Sequence, residues 1–171
     1  DPGPPSGRRL TVLADALDAD SLFARLGTPI LLAAAMARQQ GLRLRFVTRH
    51  APPEPAALGS YLESYGANLS DNIEFEYAAI HGAPQGLGIT DDELLLTTSW
   101  QTTWAGLSSV HPSRIIYFVS DDERAFYPAS DQQLRCREIL CDTCLRFVVS
   151  TPALRDHLVT AGMTGIAHSS I

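Results

Sequence analysis

The sequence predicts an α/β fold: a Rossmann-like, three-layer domain with a mainly parallel sheet. Three observations carry this prediction. Short apolar runs alternate along the chain with longer stretches of helical spacing. Runs such as Ile115-Ile116-Tyr117-Phe118-Val119 are apolar at odd and even positions alike, as strands covered on both faces are. The helical stretches are opened by Pro29, Pro55 and Pro152 and closed by Gly41, Gly66 and Gly162.

Residues 10–14 form the first strand, and 15–26 a loop or short helical turn. Thr28 is placed to cap a helix whose first position is Pro29 and which runs to Gln40. Residues 42–48 are the second strand, followed by a loop with Pro52, Pro53 and Pro55 and a helix over 55–65. Residues 73–77 alternate apolar and acidic side chains, as a strand near a sheet edge does. A glycine-rich loop over 81–91 leads to a buried strand at 93–98. The next helix begins near Ser99 and carries Trp100 and Trp104, four apart on one face and expected to pack against the sheet. Strand 114–119, helix 131–143, strand 146–150 and a helix from Thr151-Pro152 to about Gly162 complete the pattern. Residues 1–8 read as a flexible leader, and 9–171 as one domain.

At 171 residues the chain is long enough for a substantial core, and 45% hydrophobic with 19% charged residues is ordinary globular composition. A net charge of −6 argues against a general nucleic-acid binder. Every basic residue is Arg, which with the many alanines points to GC-rich bacterial coding rather than to function. No stretch approaches the roughly 18–20 apolar residues that span a bilayer, and the start lacks the features of a signal peptide. Three cysteines, an odd number, fit a reducing cytoplasm.

The most informative segment is Asp121-Asp122-Glu123-Arg124-Ala125-Phe126-Tyr127-Pro128, directly after the apolar strand. Ligands of open α/β sheets bind beyond the carboxyl ends of the strands. An acidic cluster followed by two aromatics at that point suits a hydroxyl-rich ligand. For Asp121 and Glu123 the plain reading is helix capping and loop solvation. Phe126 and Tyr127 offer a platform for a sugar ring, against which stands ordinary core packing, the expectation for Phe126. Ser99 and Trp100 lie at a strand end and are placed to line the cleft, although Ser99 is equally a helix cap. Asp122 and Arg124 read as a solvent pair contributing under about 1 kcal/mol.

Tyr117-Phe118-Val119-Ser120-Asp121-Asp122-Glu123-Arg124-Ala125-Phe126-Tyr127-Pro128 resembles the Y-F-I-Q-D-Y-E-P-G-F-Y-P pattern of GT-B glycosyltransferases. That pattern matches Asp121 and Glu123 to acidic positions and so implies hydrogen bonding to, or deprotonation of, an attacking hydroxyl. Thr97-Thr98-Ser99-Trp100-Gln101-Thr102-Thr103-Trp104 is similar to the same family's T-x-W-x-T-A segment, and strand 42–48 and the ending 150–162 also fit. The resemblance covers nearly the whole chain from Arg9 and is nearest to bacterial rhamnosyltransferases of rhamnan, O-antigen and S-layer glycan synthesis. It implies the N-terminal, acceptor-side half of a GT-B fold acting on a cell-surface glycan, lipid-linked acceptors included, at the inner face of the membrane in the cytoplasm. It implies no cofactor or metal in this domain, and a nucleotide-sugar donor held on a C-terminal domain. That donor domain is expected to be absent here and the chain alone inactive. Gly27 and Thr28 occupy the place of the family's glycine loop, although Arg25 stands where a glycine is expected. His50 and His81, each after a strand, are candidates for an acceptor-side histidine.

Two other functions stay open: a non-catalytic glycan-binding or protein-docking domain, and a nucleotide-binding enzyme of another Rossmann class. Gly82, Gly86 and Gly88 neither follow the first strand nor open the first helix, so they form no dinucleotide fingerprint. Cys141-Asp142-Thr143-Cys144 has zinc-like spacing without a second pair, and packing cysteines are the plainer reading.

Overall fold

The computed structural model describes residues 7–67, 73–80 and 87–169. The chain packs as two compact units, Asp1–Leu94 and Leu95–Ile171. In the first, β1 (Arg9–Ala14), β2 (Arg43–Thr48) and β3 (Ile73–Tyr77) run parallel in the order β3-β2-β1. In the second, β4 (Leu94–Thr97, beginning at the division), β5 (Ile115–Val119) and β6 (Arg146–Val149) run parallel in the order β4-β5-β6. These orders, with helices between successive strands, are those of the two halves of the doubly wound nucleotide-binding fold. The chain has the Rossmann-like α/β fold predicted from its sequence.

The strand prediction holds because the apolar runs have one stable use, burial between layers. All of β5 is buried, with Ile115, Tyr117 and Val119 fully so, and Leu95 and Leu96 of β4 are equally enclosed. Beside them α4 (Trp100–Leu107) brings Gly106 so close that a Cβ there would lie 2.5 Å from Leu95.

In the first unit, the order of charges along β2 and β3 builds an ion-pair network. Arg45, in register with Glu74, is 5% exposed. It pairs with Glu76, reaches Glu93 at 3.6 Å, and donates to the carbonyls of Leu87 (3.1 Å) and Gly88 (3.3 Å). Glu93, 1% exposed, also accepts from Thr11 Oγ1 at 2.7 Å, from the Thr90 amide at 3.2 Å, and from Arg9. Burial by itself would raise the Glu93 carboxyl. The hydrogen bonds from Thr11, Thr90 and Arg9 and the charge of Arg9 outweigh it, and the group sits below its usual range.

Five sequence expectations change. Residues 15–26 are mostly helical: Asp18 caps α1 (Ala19–Ser21) by accepting from the Ser21 amide at 2.7 Å. The helix continues through a π-turn, Leu22–Leu26, into α2 (Gly27–Gln40). Thr28 therefore lies inside a helix and caps nothing. Pro29 has no N–H for the carbonyl of Arg25, and a π-turn is where a helix absorbs such an interruption. The merged run Ala19–Gln40 has 22 residues and a window of mean hydropathy 1.2, so length and composition alone would let it cross a membrane. Its Leu22, Leu26, Ile30, Ala33 and Ala37 are buried, as in the core helix of a globular unit.

Trp104 is 45% exposed rather than packed on the sheet, with the Arg135 guanidinium 4.9 Å over its ring. Phe126 is 57% exposed rather than core. Beyond α5 (Asp131–Cys141) and α6 (Pro152–Thr160), Gly162 turns the chain with φ of 83° into an unexpected short helix, α7 (Thr164–His168). The apolar spacing there is too short to register as a helix, yet Met163 and Ile166 are buried. Gly165 lies where a Cβ would be 2.7 Å from the Leu140 and Asp142 carbonyls.

Candidate functional site

In the second unit the chain leaves the carboxyl end of β4 into a capped helix start. Ser99 Oγ accepts from the Thr102 amide at 3.1 Å, and Thr102 Oγ1 accepts from the Ser99 amide at 3.0 Å, a capping box with threonine in place of Glu or Gln. The next amide, that of Trp100, donates to Glu123 Oε2 at 3.2 Å. Glu123 comes from the carboxyl end of β5, on a 3-10 turn, Glu123–Phe126, and its Oε1 accepts from the Tyr117 hydroxyl at 3.0 Å. Glu123 is 4% exposed. The acidic side chain thus joins the two strand ends from inside, with its charge at the positive end of α4.

Above it, the Tyr127 hydroxyl accepts from Trp100 Nε1 at 3.1 Å and from Gln101 Nε2 at 2.5 Å, and the Trp100 and Tyr127 rings meet edge to face with centroids 5.8 Å apart. With two donors at its oxygen, the phenol keeps its own hydrogen to donate. Tyr127 is half-buried, and Gln101, Asp121 and Phe126 are exposed. Gln133 of α5 fastens the turn from behind, donating to the carbonyls of Arg124 (3.3 Å) and Tyr127 (3.1 Å).

Asp122 points the other way. Its Oδ1 accepts from the Arg124 amide (3.3 Å) and Nε (2.8 Å), and its Oδ2 from Arg124 Nη2 (2.8 Å). His157 Nε2 of α6 lies 2.9 Å from the same Oδ2. The Arg124 hydrogen bonds, opposed by partial burial and aided by His157, hold the Asp122 carboxyl below its usual range. The pair expected to stand in solvent is therefore a partly enclosed fork tied to a third element. Beside it opens a hollow of about 320 Å³ lined by Arg124, Gln133, Leu134 and Arg137.

Three of the predicted residues, Trp100, Glu123 and Tyr127, are drawn into one hydrogen-bonded group, and a fourth, Ser99, caps the helix that begins with Trp100. Asp121 and Phe126 share its loop and face outward. In the first unit Gly27 is buried, with a Cβ there falling 2.0 Å from the Tyr61 hydroxyl and 2.8 Å from the Leu22 carbonyl oxygen. Its lack of a side chain serves helix packing, while Thr28 is exposed on α2. His50 follows β2, with its Nε2 3.5 Å from Asp15 Oδ1 and its carbonyl accepting from the Tyr77 hydroxyl at 3.4 Å. It thus sits at the carboxyl ends of β1, β2 and β3. His81 lies outside the described residues.

No protein-family model matches the chain. No curated protein matches its sequence. Among the described residues, no group of three or more His, Cys, Asp or Glu side chains is placed to hold a metal ion. Sequence reasoning missed Gln101, Tyr117, Gln133 and His157. Tyr117 carries a hydroxyl in the middle of a buried apolar strand, which demands a partner and was a usable signal. The other three have no local pattern.

Proposed function

We propose that the carboxyl ends of β4 and β5 form the acceptor half of a glycosyltransferase site, in a rhamnosyltransferase-like enzyme that extends a bacterial cell-surface glycan at the inner face of the membrane. The observation that carries this reading is the Tyr127 hydroxyl, fixed by Trp100 and Gln101 and left to donate. It sits at the strand ends where open α/β sheets bind ligands. Fixed polar groups together with an exposed aromatic, Phe126, on the same loop match a pyranose, which has apolar faces and a hydroxyl rim. The likeness of residues 117–128 to the GT-B pattern supports the same assignment.

In this reading Tyr127 and Gln101 hydrogen-bond acceptor hydroxyls, and Phe126 packs on a ring face. Asp121 is the carboxylate on the exposed side; it orients the attacking hydroxyl and takes its proton. The hydroxyl oxygen then bonds to the anomeric carbon of a nucleotide sugar, and the nucleotide diphosphate leaves with the electrons of the broken bond. Glu123 holds the helix start and does not touch the acceptor.

A nucleotide-phosphate role for the first βα turn has little support. The turn has no glycine, and the Asp18 carboxylate fills the helix start, held below its usual range by the Ser21 amide. A second reading, a non-catalytic glycan-binding domain, draws on the burial of Glu123, which leaves one of the two motif acids on the exposed side.

Saturation-transfer NMR with a rhamnose-containing disaccharide tests the site. Binding in about the millimolar range is expected, weakened about three- to ten-fold by Tyr127→Phe through loss of one hydrogen bond. No binding at about 10 mM, together with thermal stabilisation by nucleotides, would reject it. Binding that Asp121→Asn leaves unchanged would favour the non-catalytic domain.

A further inference from the structure

We propose that His157 is a positioning residue for the ligand at the strand ends, acting through Asp122; the ligand part rests on the reading above. The turn Glu123–Phe126 carries Glu123 at one end and presents Phe126 and Tyr127 at the other. Arg124 cannot locate it, because Arg124 belongs to the same turn as the Asp122 it grips. Asp122 caps the turn by accepting from the Arg124 amide. The side chain that reaches Asp122 from a separate element is His157, 35 residues downstream on α6.

Helix α6 is itself tied to the end of β5: the Ser150 amide donates to the Val119 carbonyl at 2.9 Å, and Thr151 caps α6 by accepting from the Leu154 amide at 3.2 Å. Gln133 of α5 holds the Arg124 and Tyr127 carbonyls, the Trp100 amide and the Tyr117 hydroxyl hold Glu123, and His157 adds a hold on the cap residue Asp122. His157 is largely exposed, and its ring meets the site through Asp122 Oδ2 at 2.9 Å. Its effect on a ligand passes through the angle of the turn, which sets where the Tyr127 hydroxyl and the Phe126 ring stand.

The test compares His157→Ala, His157→Phe and His157→Gln in two measurements. Amide hydrogen exchange without ligand reads the turn, where the Ala125 amide donates to the Asp122 carbonyl at 3.0 Å. Titration with the rhamnose-containing disaccharide reads the site. His157→Ala and His157→Phe should speed exchange at Arg124, Ala125 and Tyr127 and weaken binding about two- to five-fold, the scale of one exposed hydrogen bond. His157→Gln, whose amide can donate to Asp122, should restore both. Unchanged exchange in His157→Ala, or rescue by Phe as complete as by Gln, would overturn the proposal. If the wild-type chain binds no disaccharide, the acceptor-site reading fails, and the exchange data still decide whether His157 sets the turn.

Discussion

Replacing Glu123 with alanine isolates what the buried carboxylate does. Its oxygens accept from the Trp100 amide at 3.2 Å and the Tyr117 hydroxyl at 3.0 Å, and Tyr117 is fully buried. Deleting the carboxylate removes these acceptors from both donors, at about 1–3 kcal/mol each. Helix α4 also loses a negative charge at its N-terminus, about 0.3–1 kcal/mol. The sum is about 2–7 kcal/mol, against a total stability of about 5–15 kcal/mol for a domain of this kind. Glu123→Gln keeps the volume and one acceptor oxygen, so one donor loses this acceptor and the cost should be about 1–3 kcal/mol. Urea unfolding followed by tryptophan fluorescence, with Trp100 next to the change, measures both variants, and an unchanged m-value keeps the comparison valid. A loss under about 1 kcal/mol for Glu123→Ala, or a Gln variant as damaged as the Ala one, would refute the account of Glu123 as the link between the two strand ends.

Two further outcomes follow from the titratable groups. Because the Glu93 carboxyl is held below its ordinary value of 4.5 in the folded chain, its stabilisation is present above that value and is lost as the pH falls through the folded one. Urea midpoints at pH 7, 5 and 3 should drop on the acid side and flatten in Glu93→Gln, and parallel profiles for the two proteins would contradict this. The Cys136 thiol, pushed up to about 12 by burial and then by the charges of Glu123 and Asp122, should resist alkylation at pH 8 until the chain unfolds, while exposed Cys144 reacts. Mass mapping of rapid native-state labelling at Cys136 would count against the packing around α5.

The fold was legible because its signals are redundant. The strands of the second unit are mostly apolar runs with one stable use, and α4, α5 and α6 each start at a cap, Ser99, Ser130 and Thr151, that works through bonds to its own first turn. Where the signal depended on distant partners, it failed. Thr28-Pro29 has the local form of a helix start, but the competing cap at Asp18 begins the helix earlier and the π-turn carries it through. The ion-pair network was half visible: Arg43-Leu44-Arg45 and Glu74-Phe75-Glu76 are complementary alternations. Which arginine meets which acid is set by strand register, and nothing near Glu93 announces that it completes the cluster.

The three consecutive acids after β5 show most plainly what residue type leaves undecided. Asp121, Asp122 and Glu123 stand at the same strand end in the same acidic run, and composition gives no ground for separating them. The 3-10 turn does so by direction. Asp121 faces outward, Asp122 folds back onto Arg124 and His157, and Glu123 turns inward to the Trp100 amide and the Tyr117 hydroxyl. The longer side chain suits the inward position, because it has to reach both the start of α4 and a phenol on the preceding strand. An aspartate at 123 has one methylene fewer and would have to give up one of those partners or pull the turn inward. The choice of glutamate there, rather than the presence of an acid, is therefore the part of the motif that sets the shape of the strand-end site.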